Sequence, residues 1–136
     1  MNLRLILGIH RTTHRIGLFI RRHAPDLNQA EAHILCHLLE SGDSTIADLH
    51  RAFAHKRSTL TGVLDRLVER GLVTRAPSQQ DRRSFIVSLT RSGAAKAAKV
   101  HKCLEDLETK ALHGAARKTV DAFHEIIESL ERTAVN

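Results

Sequence analysis

The stretch that decides the fold is residues 54–93, which read AHKRSTLTGVLDRLVERGLVTRAPSQQDRRSFIVSLTRSG. It begins with a predicted helix from about Arg57 to Arg70, because its apolar residues recur at helical spacing and fall within one arc of roughly 140°. These residues are Leu60, Val63, Leu64, Leu67 and Val68. Gly71 then supplies the left-handed residue at which many helices end. The stretch therefore opens with an amphipathic helix whose other face is polar.

Two short strands are predicted directly after this helix, at residues 72–76 and 85–89. The second strand alternates Phe85, Val87 and Leu89, which predicts that these three side chains point inward. Residues 77–84 between the strands are polar and contain Asp81-Arg82-Arg83, which predicts the tip of a hairpin. We call this hairpin, residues 72–89, the wing.

The positive charge of the chain is concentrated in this region. Residues 51–91 hold nine Lys and Arg against three Asp and Glu, and this surplus of six equals the net charge of the whole chain. All other residues together are therefore neutral. A basic surface confined to one module is typical of a protein that binds a polyanion such as DNA.

Helices are predicted on both sides of the basic module, at about residues 3–23, 28–40 and from 44 onward, and then after Ser92. Thr45-Ile-Ala-Asp48 reads as a capping box that begins the third helix. The final segment is expected to break at His113-Gly114. The first and last helices carry long aliphatic faces that the small central module cannot cover, which favours a two-fold partner.

This order of elements resembles the MarR (multiple-antibiotic-resistance regulator) family. The most specific matches are RSTLTGVLDRLVERGLVTR, residues 57–75, and DRRSFIVSLTRSG, residues 81–93. The family's wing carries Asp-x-Arg, then a strand, Leu-Thr and a Gly, and this chain has Asp81, Arg83, Leu89-Thr90 and Gly93 in that order. The resemblance covers nearly the whole chain by element order, whereas the specific motifs occupy residues 57–93.

The resemblance implies a mostly α fold with a small two-stranded β-wing, that is, a winged helix-turn-helix flanked by dimerisation helices. Residues 1–136 are expected to form a single MarR-type domain, with dimerisation helices at 1–25 and 92–136 and a DNA-binding lobe at 28–91. It further implies a homodimer that binds a pseudo-palindromic operator in double-stranded DNA. Repression relieved by a small ligand or an oxidant is the usual mode of action.

Ten residues are expected to contact or organise DNA. The hydroxyls at the start of the fourth helix can reach base edges or phosphates, and the flanking cations can pair with phosphates. By the family pattern Arg83 enters a minor groove while Asp81 holds it by a charged hydrogen bond. The ten are Lys56, Arg57, Ser58, Thr59, Thr61, Arg66, Arg75, Asp81, Arg82 and Arg83. Ordinary solvated charge, and a capping role for Ser58, are the competing readings.

No enzyme motif is present, and neither a cofactor nor a metal ion is expected. His33 and His37 lie one helical turn apart, as do His10 and His14, but neither pair has the further ligands of a specific zinc site. A zinc-responsive regulator, or a protein-interaction module that has lost DNA binding, remain alternatives. Cys36 and Cys103 are expected to be buried, inert thiols. The sequence has no apolar run long enough to span a membrane and no secretory signal is expected, which favours the cytoplasm.

Overall fold

A computed structural model of the chain describes residues 2–54, 56–81 and 83–135. It contains six helices and three short strands within these residues. Their order is α1 (Ile6–His23), α2 (Gln29–Ser41), β1 (Ser44–Thr45), α3 (Ile46–Phe53), α4 (Arg57–Glu69), β2 (Val73–Pro77), β3 (Phe85–Leu89), α5 (Arg91–Ala111) and α6 (Arg117–Val135). The expected winged helix-turn-helix, mostly α with a small β-wing, is confirmed.

The sheet has one strand more than the sequence predicts. The strand order is β1-β3-β2 and all pairs are antiparallel, with Ser44 opposite Val87 and Thr45 opposite Ile86. Only two residues of β1 take part, which is too short for an alternating pattern to be visible in the sequence. This additional strand, β1, joins the helix-turn-helix to the root of the wing.

Capping interactions fix where α2 and α3 begin. Asn28 and Glu31 form a reciprocal capping box at α2, in which each side chain accepts from the other residue's backbone N–H. Thr45 and Asp48 do the same at α3, with both donor–acceptor distances at 3.0 Å, so the predicted capping box is confirmed. The hydrogen bond from the Thr45 N–H to the Asp48 carboxylate is the largest influence that lowers the pKa of that carboxyl.

The chain divides into two compact units, Met1–Cys103 and Leu104–Asn136. The aliphatic core of the first unit is built by α2, α3, α4 and the sheet, whose fully buried members include Ile34, Leu35, Leu49, Leu64, Leu67 and Val87. The second unit holds the end of α5, a turn with Gly114 in the left-handed conformation, and α6. The expected break at His113-Gly114 is confirmed.

Large apolar side chains remain exposed on α1 and on α6. Leu7 and Leu18 on α1, and Phe123 and Ile126 on α6, are each more than 40% exposed. None of the residues of α6 is buried. In the part of the chain that the structure describes, no helix is both long and apolar enough to span a membrane.

Candidate nucleic-acid interface

Helix α4 separates its residues into a buried and an exposed face, as its sequence pattern predicts. Leu60, Val63, Leu64 and Leu67 are all buried against the core. The predicted contact residues lie on the solvent side, and all six are exposed: Lys56, Arg57, Ser58, Thr59, Thr61 and Arg66. Burial of the apolar face thus fixes which side chains α4 presents to a partner.

The first turn of α4 leaves its backbone N–H groups available. Lys56 precedes the helix, so Ser58 lies inside the first turn and does not cap it. Within the described residues, no side chain caps this helix end. Thr61 Oγ1 donates to the Arg57 carbonyl at 2.9 Å, which leaves its lone pairs free to accept. An anion is the partner that such a helix terminus favours.

Arg70, which caps the C-terminal end of α4, anchors the helix to the start of α2. Its Nη1 donates to Glu31 Oε2 at 3.3 Å and its Nη2 to Asp26 Oδ2 at 3.0 Å. Glu31 is buried, and its other oxygen accepts from the Asn28 N–H at 3.0 Å. Since a buried carboxylate is tolerated only when it is paired and hydrogen-bonded, this arrangement holds the end of α4 in place.

The wing loop is closed by side chains that the sequence pattern did not single out. Ser78 is buried, and its Oγ accepts from the N–H groups of Gln80 and Asp81 at 3.2 and 3.4 Å. The Ser78 N–H donates to the Ser84 carbonyl at 2.9 Å, and the Ser84 N–H to the Asp81 carbonyl at 3.0 Å. The only hint in the sequence is a Ser directly after Pro77, where the chain must turn.

Asp81 holds Arg83 in a different way from the predicted one. Its Oδ1 accepts from the backbone N–H of Arg83 at 3.0 Å, so the carboxylate fixes the backbone of the turn. Arg83 is exposed and forms no ion pair with any described residue, which leaves its guanidinium available. Arg82 lies outside the described residues.

Arg75 is already engaged within the protein. Its Nη1 lies 3.0 Å from Asp65 Oδ1 on α4, and its guanidinium lies 6.0 Å from the centre of the Phe85 ring. Phe85 itself is 42% exposed, so the expectation that it packs inward is wrong, whereas Val87 is fully buried as expected. Phe85 lies at the tip end of β3, beyond the apolar core, and a guanidinium covers it there.

The described histidines and cysteines do not gather into a metal site. Within the described ranges, no group of three or more His, Cys, Asp or Glu could hold a metal ion. His37 instead packs edge-on against Phe53, with 5.4 Å between ring centres. Cys36 is half-buried, and burial, followed by the nearby Glu40 charge, raises the pKa of its thiol to about 11. The thiol is therefore protonated at neutral pH and is a poor nucleophile.

The similarity to known proteins is strongest over the helix-turn-helix and the wing. The MarR family model matches residues 27–85. The HTH-type transcriptional repressor NicR of Pseudomonas putida KT2440 is 42% identical over 71 residues, which cover 52% of this chain and 45% of NicR. The multiple antibiotic resistance protein MarR of Escherichia coli K12 is 34% identical over 76 residues, which cover 56% of this chain and 53% of that protein. The chain thus spans about half the length of these curated relatives.

A solved structure shares the complete fold. The structure of Bordetella bronchiseptica BpsR, described as showing how 6-hydroxynicotinic acid regulates its DNA binding, matches 96% of this chain and 98% of that chain. The TM-score is 0.73 and the sequence identity is 22%, so this likeness concerns the fold alone. The family model falls on the helix-turn-helix and most of the wing, and the fold extends the match to the flanking helices. Residues 27–85 of this chain thus match the MarR family, and the chain as a whole resembles BpsR in fold.

Proposed function

We propose that this protein is a homodimeric, sequence-specific DNA-binding transcriptional regulator that acts as a repressor. The observation that carries the proposal is the exposed, basic surface formed by the polar face of α4 and the wing loop. In this arrangement α4 is the recognition helix for a major groove, and Arg83 reaches an adjacent minor groove. The division of the chain into a DNA-binding lobe, 28–91, and dimerisation helices, 1–25 and 92–136, belongs to the same proposal.

Exposed apolar residues support the dimer. Phe123 is 51% and Ile126 is 42% exposed on α6, and Leu7 and Leu18 are exposed on α1. A second copy would remove these side chains from water, at about 25 cal/mol for each Å² of apolar surface buried. Two copies also match the two-fold symmetry of a palindromic operator.

Binding to duplex DNA is expected to be steeply salt-dependent. For each phosphate contacted, the logarithm of the affinity should fall by about 0.9 when the salt concentration rises tenfold. The reason is that Lys and Arg side chains displace the counterions condensed on the DNA. Titration of labelled random duplex between low and moderate salt measures this slope, and selection from random DNA then gives the operator. Sedimentation of the same samples reports whether the binding species is a dimer.

Two results would contradict this proposal. Failure of the protein to bind any duplex at low salt would favour a protein-interaction module that has lost DNA binding. A monomer that binds duplex as tightly as the full preparation would remove the dimer from the mechanism.

A small cavity near the end of α1 supports control by an anionic effector. It has a volume of about 130 Å³ and is lined by His23, Ala24, Pro25, Asp26, Lys96, Lys99 and Val100. A cavity of roughly 150 Å³ holds one benzene ring in the T4 lysozyme example. The lining carries two lysines and a histidine against one carboxylate, Asp26, which favours a small carboxylate ligand. The 6-hydroxynicotinic acid that regulates BpsR belongs to that chemical class.

The cavity is connected to the recognition helix by a chain of ion pairs. Lys96 donates to the Asp26 carboxylate. The same carboxylate pairs with Arg70 at the end of α4. The Lys96 hydrogen bond is the largest influence that lowers the pKa of Asp26, and burial acts in the opposite direction. An effector carboxylate that binds Lys96 in place of Asp26 would therefore alter the hydrogen bonds that Arg70 donates to Asp26 and Glu31.

Replacing Lys96 is expected to remove the response to such an effector. 6-Hydroxynicotinate should raise the melting temperature of the wild-type protein and release operator DNA. Lys96→Met should raise the ligand concentration needed for both effects by about tenfold, the loss expected for one charged hydrogen bond. Lys110→Met on the same helix is the matched control, because Lys110 does not line the cavity. An equal response of the Lys96 and Lys110 variants would place the effector elsewhere.

A further inference from the structure

We infer that Asp65, Arg75 and Phe85 form a clamp that fixes the wing relative to the recognition helix, and that Arg75 positions the wing instead of contacting a phosphate. The inference rests on the proposed DNA-binding function and assigns a role that the sequence pattern did not. The three residues lie on three different elements, α4, β2 and β3. We call them the wing clamp.

The strand register brings the clamp together on one face of the sheet. Arg75 is paired with Val87, and Val87 lies two residues from Phe85, so all three side chains share a face. Val87 is fully buried in the core on this face. Further toward the tip the core ends, and the Arg75 guanidinium covers the Phe85 ring while it pairs with Asp65.

The outer part of the wing has little other support. β1 pairs only with Ile86 and Val87 of β3, so the hairpin beyond these residues consists of two strands. A two-stranded hairpin alone is marginally stable in water and twists easily. Arg75 lies opposite Val87, at the base of this outer part, and among the ion pairs of the described residues its pair with Asp65 ties the wing directly to α4.

Charge gives a second reason to assign Arg75 to the clamp. Asp65 is an exposed acid on the recognition helix, where an unpaired carboxylate would repel DNA phosphates. Arg75 compensates that charge from 3.0 Å away. An Arg75 that left Asp65 to contact a phosphate would expose the carboxylate to the same DNA. The two roles therefore compete, and the existing geometry satisfies the first.

Removing Asp65 separates the two roles sharply. Simple electrostatics predicts that Asp65→Ala binds all DNA more tightly, because a negative charge has been removed. The clamp predicts instead that operator affinity falls by roughly tenfold, as when one specific contact is lost, while binding to random duplex is unchanged or stronger. Glu69→Ala is the matched control, because Glu69 is an exposed acid at the end of the same helix without an ion pair to any described residue.

Arg75→Ala supplies the second comparison. As a clamp residue it should lower operator affinity without changing the salt slope, whereas loss of a phosphate contact would reduce the slope by about 0.9. In the double variant with Asp65→Ala, the two losses should not add, because both changes break one contact. Hydroxyl-radical footprints should lose the minor-groove protection by the wing, and guanine N7 protection by α4 should persist.

The outcomes distinguish the clamp from the proposed function. Wild-type protein that binds its operator, together with Asp65→Ala that binds as tightly or more tightly, would overturn the clamp and leave the function intact. A reduced salt slope for Arg75→Ala would restore the phosphate contact and likewise overturn the clamp. Wild-type protein that binds no duplex would overturn both.

Discussion

Gly93→Ala is expected to lower the free energy of unfolding by about 3–5 kcal/mol, the combined effect of overpacking and of broken buried hydrogen bonds. A Cβ at this position would lie 1.7 Å from the Leu72 carbonyl oxygen and 2.7 Å from its carbon. The obstacle is backbone and has no rotamer by which to move aside. Either the start of α5 or the segment after α4 must shift.

Neither segment can shift without losing hydrogen bonds. The Thr90 N–H donates to the same Leu72 carbonyl at 3.1 Å, and Thr90 Oγ1 donates to the Gly71 carbonyl at 2.6 Å. The Gly93 N–H in turn donates to Thr90 Oγ1 at 2.9 Å. These bonds join the end of α4 to the first turn of α5. They explain physically why Leu89-Thr90 and Gly93 occur together in this sequence.

Chemical denaturation followed by circular dichroism measures the loss, and Gly62→Ala is its control. A Cβ at Gly62 would meet only Arg66 Nη1 at 3.6 Å, an ordinary contact. Since Ala is favoured over Gly in a helix interior by about 1 kcal/mol, Gly62→Ala should stabilise the protein by roughly that amount. A Gly93→Ala variant within about 1 kcal/mol of wild type would mean that the junction of Leu72 and Gly93 is looser than the structure shows.

Much of the fold could be predicted because local patterns determine it. The spacing of Leu60, Val63, Leu64 and Leu67 depends only on helix geometry, and these residues are buried as expected. The Thr45–Asp48 capping box is equally local, because its partners are three residues apart. The charge surplus of residues 51–91 is visible from composition alone, and it indicates where the proposed interface lies.

The details that position the interface could not be predicted, because they join residues distant in sequence. Arg70 reaches Asp26 and Glu31 across 44 and 39 residues, and no local pattern in the sequence pairs Arg70 with either of them. The exposure of Phe85 depends on where the core ends, which strand alternation does not reveal. For the same reason Arg75 is expected from sequence to be a phosphate contact, although tertiary structure pairs it with Asp65.

Arg83→Ala is expected to weaken operator binding by about 1–3 kcal/mol, which corresponds to roughly 5- to 150-fold. Arg83 is exposed at the tip of the wing, and the Asp81 carboxylate holds its backbone N–H at 3.0 Å. The backbone at Arg83 therefore needs little further ordering when the side chain enters a narrow minor groove. The negative potential of that groove attracts the guanidinium. Stability should change by less than about 0.5 kcal/mol, because the side chain is exposed.

Two further variants make the Arg83 measurement specific. Arg117→Ala removes the same charge from α6, outside the basic module, and should leave operator affinity nearly unchanged. Asp81→Ala should weaken binding although it removes a negative charge, because the turn that presents Arg83 loses its carboxylate acceptor. A gel-shift series in which Arg83→Ala binds like wild type would remove the wing from the mechanism. Specificity would then depend on α4 alone, whose exposed hydroxyls and cations would have to account for all discrimination between operators.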